Sequence, residues 1–249
     1  MRVQVIVAHP DDETFGCGSL ILWAKAAGAT VAVACATRGE AGATDSEPGL
    51  DVGALRESEL HAAADVLGVD RVDLLGFRDS SMSGEPATGT LAAAPAPDVQ
   101  AAVHRVVAAF APDVLVTLDG SDGHRDHAVI RDATLAVADA LAVPRAYLVC
   151  LPRSLMQRWV EHARSTNPDI EHLDADTAQL GTPDDRITTV LPARPHLAVR
   201  ELAIAQHASQ RSPYAGLPDE LYRAFLEDVH LRRMRPPWAG EGAEPDPFA

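Results

Sequence analysis

The feature that most constrains the fold is a short apolar run, Val3 to Ala8, that ends at once in a dense polar cluster, His9-Pro10-Asp11-Asp12-Glu13. The run reads as a buried strand, and a strand that delivers polar side chains directly after its C-terminal end describes a site. In open α/β sheets ligands gather beyond the carboxyl ends of the strands, where polar loops are held by the core behind them. His9 and Asp12 can each offer a lone pair to one metal ion, Pro10 stiffens the turn between them, and Gly16 and Gly18 let the chain leave and open a helix. The same tetrapeptide also reads as an acidic helix N-cap, with Asp12 satisfying orphan N–H groups and Glu13 complementing the dipole. Taken alone it does not choose.

The rest of the chain supplies the scaffold. Leu20, Trp23, Ala24 and Ala27 recur at helical spacing up to Gly28, and Thr30 to Ala36 is a second buried strand, so the first unit is strand, helix, strand. That strand exits into Thr37-Arg38-Gly39-Glu40-Ala41-Gly42, where Arg38 or Glu40 either lines the same pocket as His9 or belongs to a solvated turn; a Gly/Pro/Asp-rich loop follows to Gly53. An amphipathic helix over Ala54 to Leu67 is closed by Gly68, and a third strand at Val72 to Leu75 leads into Asp79-Ser80-Ser81-Met82. The Ala/Pro/Thr-rich stretch to Pro97 reads as a surface excursion, partly disordered. A helix over Val99 to Phe110 and a strand over Asp113 to Leu118 precede the second polar cluster, Asp119-Gly-Ser-Asp-Gly-His124-Arg-Asp126-His127. A helix to Leu141 starts there, so His124 and His127, three apart at its start, converge on one side of a turn. Further on, the pattern gives a strand at Ala146 to Leu151, an edge or return strand at Arg186 to Leu191, and helices at Arg194 to Ser209 and Asp219 to Glu227. The expectation is one α/β domain over residues 1–235 and a Pro/Gly/Glu-rich tail over 236–249 that frays or is disordered.

Charge and cysteine usage narrow the function. A net charge of -15 speaks against a nucleic-acid partner, which needs a basic face. Cys17, Cys35 and Cys150 are odd in number, widely spaced and set in apolar stretches, which together with the absence of a leader-like start points to a reducing cytoplasm. No apolar stretch approaches the length of a membrane span, and assembly into a homo-oligomer stays open.

Two histidines and a carboxylate from separate strand ends make the ligand set of a catalytic zinc site, and His9, Asp12 and His127 supply it. Asp11 and His124 then remain as acid/base groups, which is what amide hydrolysis assisted by a metal requires. Iron or cobalt can exchange into such a site, because its donors are not soft enough to select zinc strongly. His61, His104, His162, His172 and His230 read as structural or exposed. The competing class is a non-catalytic sugar- or nucleotide-binding α/β domain. Against it, a Rossmann binder wants G-x-G-x-x-G at the first strand's exit, and Gly16-Cys17-Gly18 comes after the carboxylates and lacks the third glycine.

At this point the residues carry a resemblance. AHPDDE after the first strand, TRGEAG, R-x-x-E in Arg56 to Glu59 followed by AADVLGV, DSSM, HRDH, and AQHASQ over Ala205 to Gln210 together resemble the PIG-L-like (LmbE-like) zinc-dependent de-N-acetylases. The resemblance implies a Rossmann-like, mostly parallel sheet with helices on both faces. It also implies zinc on His9, Asp12 and His127, Asp11 as general base, His124 stabilising the tetrahedral intermediate or protonating the leaving amine, and Asp126 orienting a histidine. Arg56 and Asp79 are expected to contact sugar hydroxyls across the pocket mouth, with Glu40 a further substrate-binding candidate; without the resemblance, Arg56 and Glu59 read as a helix-surface pair and Asp79 as a turn cap. The implied substrate is a small N-acetylated amino sugar or glycoconjugate, with an amide on a thiol conjugate as the alternative. Ser81 departs from the pattern, standing where the thiol-pathway enzymes have Gly in D-S-G-M.

Overall fold

The computed structural model describes residues 1–42, 49–82, 84–166 and 177–248. Its strands are β1 (Arg2–Val7), β2 (Thr30–Cys35), β3 (Arg71–Leu74), β4 (Val114–Leu118), β5 (Arg145–Cys150), β6 (Thr189–Pro192) and β7 (Asp228–Arg235). They form one sheet in the order β3-β2-β1-β4-β5-β7-β6. The first five are mutually parallel, whereas β7 runs antiparallel to both β5 and β6. Helices α1 (Asp12–Phe15), α2 (Gly18–Ala26), α3 (Val52–Leu67), α4 (Ala96–Phe110), α5 (Arg125–Ala140), α6 (Arg153–Thr166), α7 (Leu197–Ile204) and α8 (Asp219–Leu226) complete the described regular structure.

Both faces of the sheet are covered, which is why β1 carries so little polarity. With a side-chain period of two, Val3, Val5 and Val7 join the apolar cluster that includes Leu20 and Ile21 of α2 and Leu60 of α3. Ile6 and Ala8 join the opposite cluster, with Val103 of α4 and Ile130 of α5. The sheet reverses its winding between β1 and β4, adjacent strands whose crossovers leave in opposite directions. A crevice opens at the carboxyl ends of such a pair. The two polar clusters of the sequence are the exits of these two strands.

Two expectations are corrected, and one strand is new. The stretch before Pro97 is not a disordered excursion: Arg78 and Thr90 bridge in parallel, the Leu91 N–H donates to the Arg78 carbonyl at 2.8 Å, and Leu91 is fully buried. The tail from Pro236 is docked, with Glu244 buried and accepting from the Tyr147 hydroxyl at 2.8 Å, the Thr189 hydroxyl at 2.8 Å and Arg233 Nη1 at 2.6 Å. Strand β7 was not legible, because the alternation of Val229 and Leu231 gives way to Arg232, Arg233 and Arg235. His172 lies outside the described residues. Among the described residues no helix is long and apolar enough to cross a membrane.

Candidate active site

The turn after β1 is not a helix cap. Asp12 Oδ2 accepts the backbone N–H groups of Ala8 and His9, at 3.2 and 2.9 Å, so it closes the strand exit behind it instead of the helix ahead. Asp11 sits at φ 117°, a conformation that L-residues adopt at a cost of order 1–3 kcal/mol and that clusters at functional sites. Its N–H is held by Glu13 Oε2 at 2.9 Å, and its carboxylate by Arg56 Nη2 at 2.9 Å.

After β4 the chain turns at Gly120, whose φ is +64° and where a Cβ would come within 2.9 Å of the Ala128 nitrogen. That tight passage lays the start of α5 against β1. His9 Nδ1 and His127 Nε2 are 3.3 Å apart, His127 Nε2 and Asp12 Oδ1 3.3 Å, and His9 Nδ1 and Asp12 Oδ2 3.6 Å. Donors around a tetrahedral ion at about 2.0–2.1 Å are separated from one another by about 3.3–3.4 Å, so the two ring nitrogens stand at the spacing a zinc-sized ion requires, and the Asp12 carboxylate meets each of them through a different oxygen.

The far nitrogens of both histidines are tied to carboxylates. His9 Nε2 meets Asp126 Oδ2 at 3.1 Å, and His127 Nδ1 meets Asp122 Oδ2 at 2.6 Å. A carboxylate on the outer nitrogen fixes the tautomer and leaves the inner lone pair free for a metal. Asp122 was not singled out from sequence, although it lies in the same polar run; its signal is only its distance of five residues from His127. Asp126 Oδ2 also accepts the Ser80 N–H at 3.0 Å, joining the turn after β3 to the site.

Other donor sets exist. Ring nitrogens of His9, His124 and His127 lie within 4.8 Å of one another, as do ligand atoms of His9, Asp79 and Asp126. The second of these uses Nε2 of His9, and neither Asp79 nor Asp126 lines the cavity that Asp11, Asp12 and His127 line. In the first, His124 already spends Nδ1 as the α5 N-cap, accepting the Asp126 N–H at 3.2 Å. Asp12, in contact with both His9 and His127, adds the negative charge that a divalent ion favours.

The surplus of carboxylate shows in the titration of the ligands. Burial opposes a charge on His9, but Asp12 and Asp126 outweigh it and raise its pKa to about 9. His127 is likewise held well above its ordinary value by Asp12 and Asp122 against its burial. His124 goes the other way, to about 4, because it is buried and faces His9 and His127. Asp11 is raised to about 7 by burial and by the charge of Asp12, with Arg56 opposing.

The remaining candidates occupy other positions than the sequence suggested. Arg56 is buried under the turn, donating to the Gly39 and Pro10 carbonyls as well as to Asp11, and a Cβ at Gly39 or Gly42 would strike its guanidinium. Instead of reaching across a pocket mouth it supports Asp11. Asp79, its side chain 5% exposed, accepts the Ser81 N–H at 2.8 Å and lies 3.7 Å from His9 Nε2, and its own N–H goes to Glu40 Oε2 at 3.2 Å. Ser81 holds φ 60°, which accounts for a glycine being the residue expected there. Arg38 pairs with Glu57 at the surface. Glu13, read from sequence only as complementing a helix dipole, and His207 form a wholly buried pair 2.6 Å apart that sequence reasoning did not connect. Among the sequence signals, only the AQHASQ motif touched His207.

Comparisons with known proteins identify the family. The profile of the PIG-L family, described as GlcNAc-PI de-N-acetylase, matches residues 4–138, a span that holds both polar clusters. A 1D-myo-inositol 2-acetamido-2-deoxy-alpha-D-glucopyranoside deacetylase of Geodermatophilus obscurus is 30% identical over 285 aligned positions, covering 100% of this chain and 97% of that one. Among solved structures, an N,N'-diacetylchitobiose deacetylase from Pyrococcus horikoshii superposes with a TM-score of 0.60 at 18% identity, over 94% of this chain and 83% of that one. A 4-carboxy-2-hydroxymuconate hydratase from Pseudomonas putida does so with 0.64 at 15% identity, over 98% and 100%, so structural likeness at this distance speaks for the fold and not for the reaction. By the profile match and the full-length relative, the chain belongs to the PIG-L family of de-N-acetylases.

Proposed function

We propose that this protein is a zinc-dependent hydrolase that removes the acetyl group from an N-acetylglucosamine-type sugar or glycoconjugate. The observation that carries the reading is the convergence of His9 Nδ1, His127 Nε2 and the Asp12 carboxylate beside Asp11, with each histidine held from behind by a carboxylate. The deacetylase names of the Geodermatophilus and Pyrococcus proteins supply the substrate class.

His9, Asp12 and His127 would hold the ion, which supplies Lewis acidity toward the amide carbonyl and toward water. Asp11 is the base. Beside the donors that would hold the ion, it takes a proton from water and passes it to the departing amine, and Glu13 and Arg56 fix where that proton is received. His124 is neutral near pH 7, and because its Nδ1 accepts the Asp126 N–H, its proton sits on Nε2. It therefore acts as a hydrogen-bond donor to the oxyanion, not as an acid. The three cysteines are free and buried, which fits work in the cytoplasm.

The test is acetate release from a panel of N-acetylglucosaminides after chelation and after readdition of zinc. Asp11→Asn should keep the metal while turnover falls by about 10²–10⁴. Metal retention with the parent's turnover would remove Asp11 from its role.

A further inference from the structure

A cavity of about 620 Å³ opens from Asp11, Asp12 and His127 and runs between α6 and α8. Its walls are apolar: Leu118 and Val149 at the strand ends, Leu155, Met156 and Trp159 of α6, and Phe225 of α8. At its rim stands Met82, an exposed large apolar side chain at 59%.

Polar groups also line it: Arg211, Asp228 and His230, and three whose bonds go elsewhere. Asp119 accepts from the Ser121 and Thr182 hydroxyls, Asp122 from His127, and Arg200 donates to the Thr14 and Phe15 carbonyls. A polyol such as inositol laid against the wall of Leu155, Met156, Trp159 and Phe225 would leave hydroxyls unpaired, at a cost that an apolar group does not incur. An acetyl group is far too small to fill the space. If the reaction is de-N-acetylation, as proposed above and on which this inference rests, the acid half of the amide is a methyl group, so the occupant belongs to the sugar half.

We propose that the cavity is an aglycone subsite, and that the substrate is an N-acetylglucosaminide carrying an alkyl or aryl group. Its volume lies within the range of sites that enclose a small organic ligand.

The test uses zinc-loaded protein and two series. Calorimetry with methyl, butyl and hexyl glucosides, which lack the amide, should show affinity rising on the order of three- to fourfold per buried methylene. Acetate release from the matching N-acetylglucosaminides should show the same rise in kcat/KM. Trp159→Asp, which puts a charge into the wall, should flatten both slopes. A flat series with the parent protein overturns the subsite, and so does a steep series that Trp159→Asp leaves unchanged. A gain confined to N-butanoyl and N-hexanoyl glucosamine overturns it in favour of an acyl-chain site. Chain-length-dependent binding without hydrolysis of any amide would instead uphold the subsite and overturn the de-N-acetylase reading.

Discussion

His207 Nε2 lies 2.6 Å from Glu13 Oε1, with both side chains wholly shielded from solvent, and the other oxygen of Glu13 accepts the N–H of Asp11. A residue at the end of the α7 segment thus reaches, through one carboxylate, the strained backbone of the base. Removing it leaves Glu13 buried without a counter-charge, so His207→Ala should cost about 3–5 kcal/mol of stability. It should also lower kcat while metal stays bound, because no ligand is touched; His207→Gln, which keeps a donor, should recover part of kcat.

The pair also sets a pH dependence. Burial opposes a charge on His207 and Glu13 favours it, with the net result that its pKa is raised. A raised folded-state pKa contributes stability fully below the unfolded value, near 6.5, and loses it as pH rises through the folded value. The Tm difference between parent and His207→Ala should therefore shrink toward alkaline pH. A difference that grew there would contradict a charged His207.

Asp122 and Asp126 act on the metal through the histidines. Asp122→Asn and Asp126→Asn should each weaken metal binding by about 10–100-fold, the usual effect of losing a carboxylate behind a ligating histidine. His9→Ala, Asp12→Ala and His127→Ala should abolish stoichiometric binding, as read by metal analysis of the purified variants. Metal retained by Asp12→Ala but lost by His124→Ala would instead place the ion on the three histidines.

Metal uptake should release protons. With the pKa values of His9 and His127 both raised, protons compete with a metal for these rings, and a ring that carries one must lose it to ligate. Zinc titration in buffers of different ionisation enthalpy should report a net release of protons, and apparent affinity should rise with pH across neutrality. A release near zero would mean that the histidines are already neutral.

Much of this was legible in the sequence because the chemistry sits at strand exits. Continuous apolar runs mark β1 and β4 as central strands, and their exits are adjacent in any parallel sheet that reverses there, so His9, Asp12 and His127 could be grouped without coordinates. What stayed hidden depends on direction more than pattern. Arg56 lies on a helix whose exposed-looking polar face turns under the Pro10 turn, and Glu13 sits next to two stronger candidates. His207 pairs with a residue 194 positions away, for which no local periodicity exists.

The C-terminal tail is the sharpest departure from composition, and it can be tested directly. Low apolar content predicted fraying, yet Glu244 is bound by Tyr147, Thr189 and Arg233, and its N–H donates to the Thr188 carbonyl at 2.7 Å. Those partners come from β5, β6 and β7 and the residue before β6, so the tail fastens the antiparallel end of the sheet. Ending the chain at Arg235 strips the buried Tyr147 hydroxyl and the Arg233 guanidinium, 16% exposed, of this acceptor. The cost should be about 3 kcal/mol, at the low end for breaking a buried pair because Arg233 keeps some water. For a chain of this size that is a fall in Tm of roughly 6–12 °C. Glu244→Gln, which keeps acceptor geometry but not charge, should fall by less, and metal content should be unchanged in both. A truncated chain that melts with the parent would show the tail resting on the sheet without holding it.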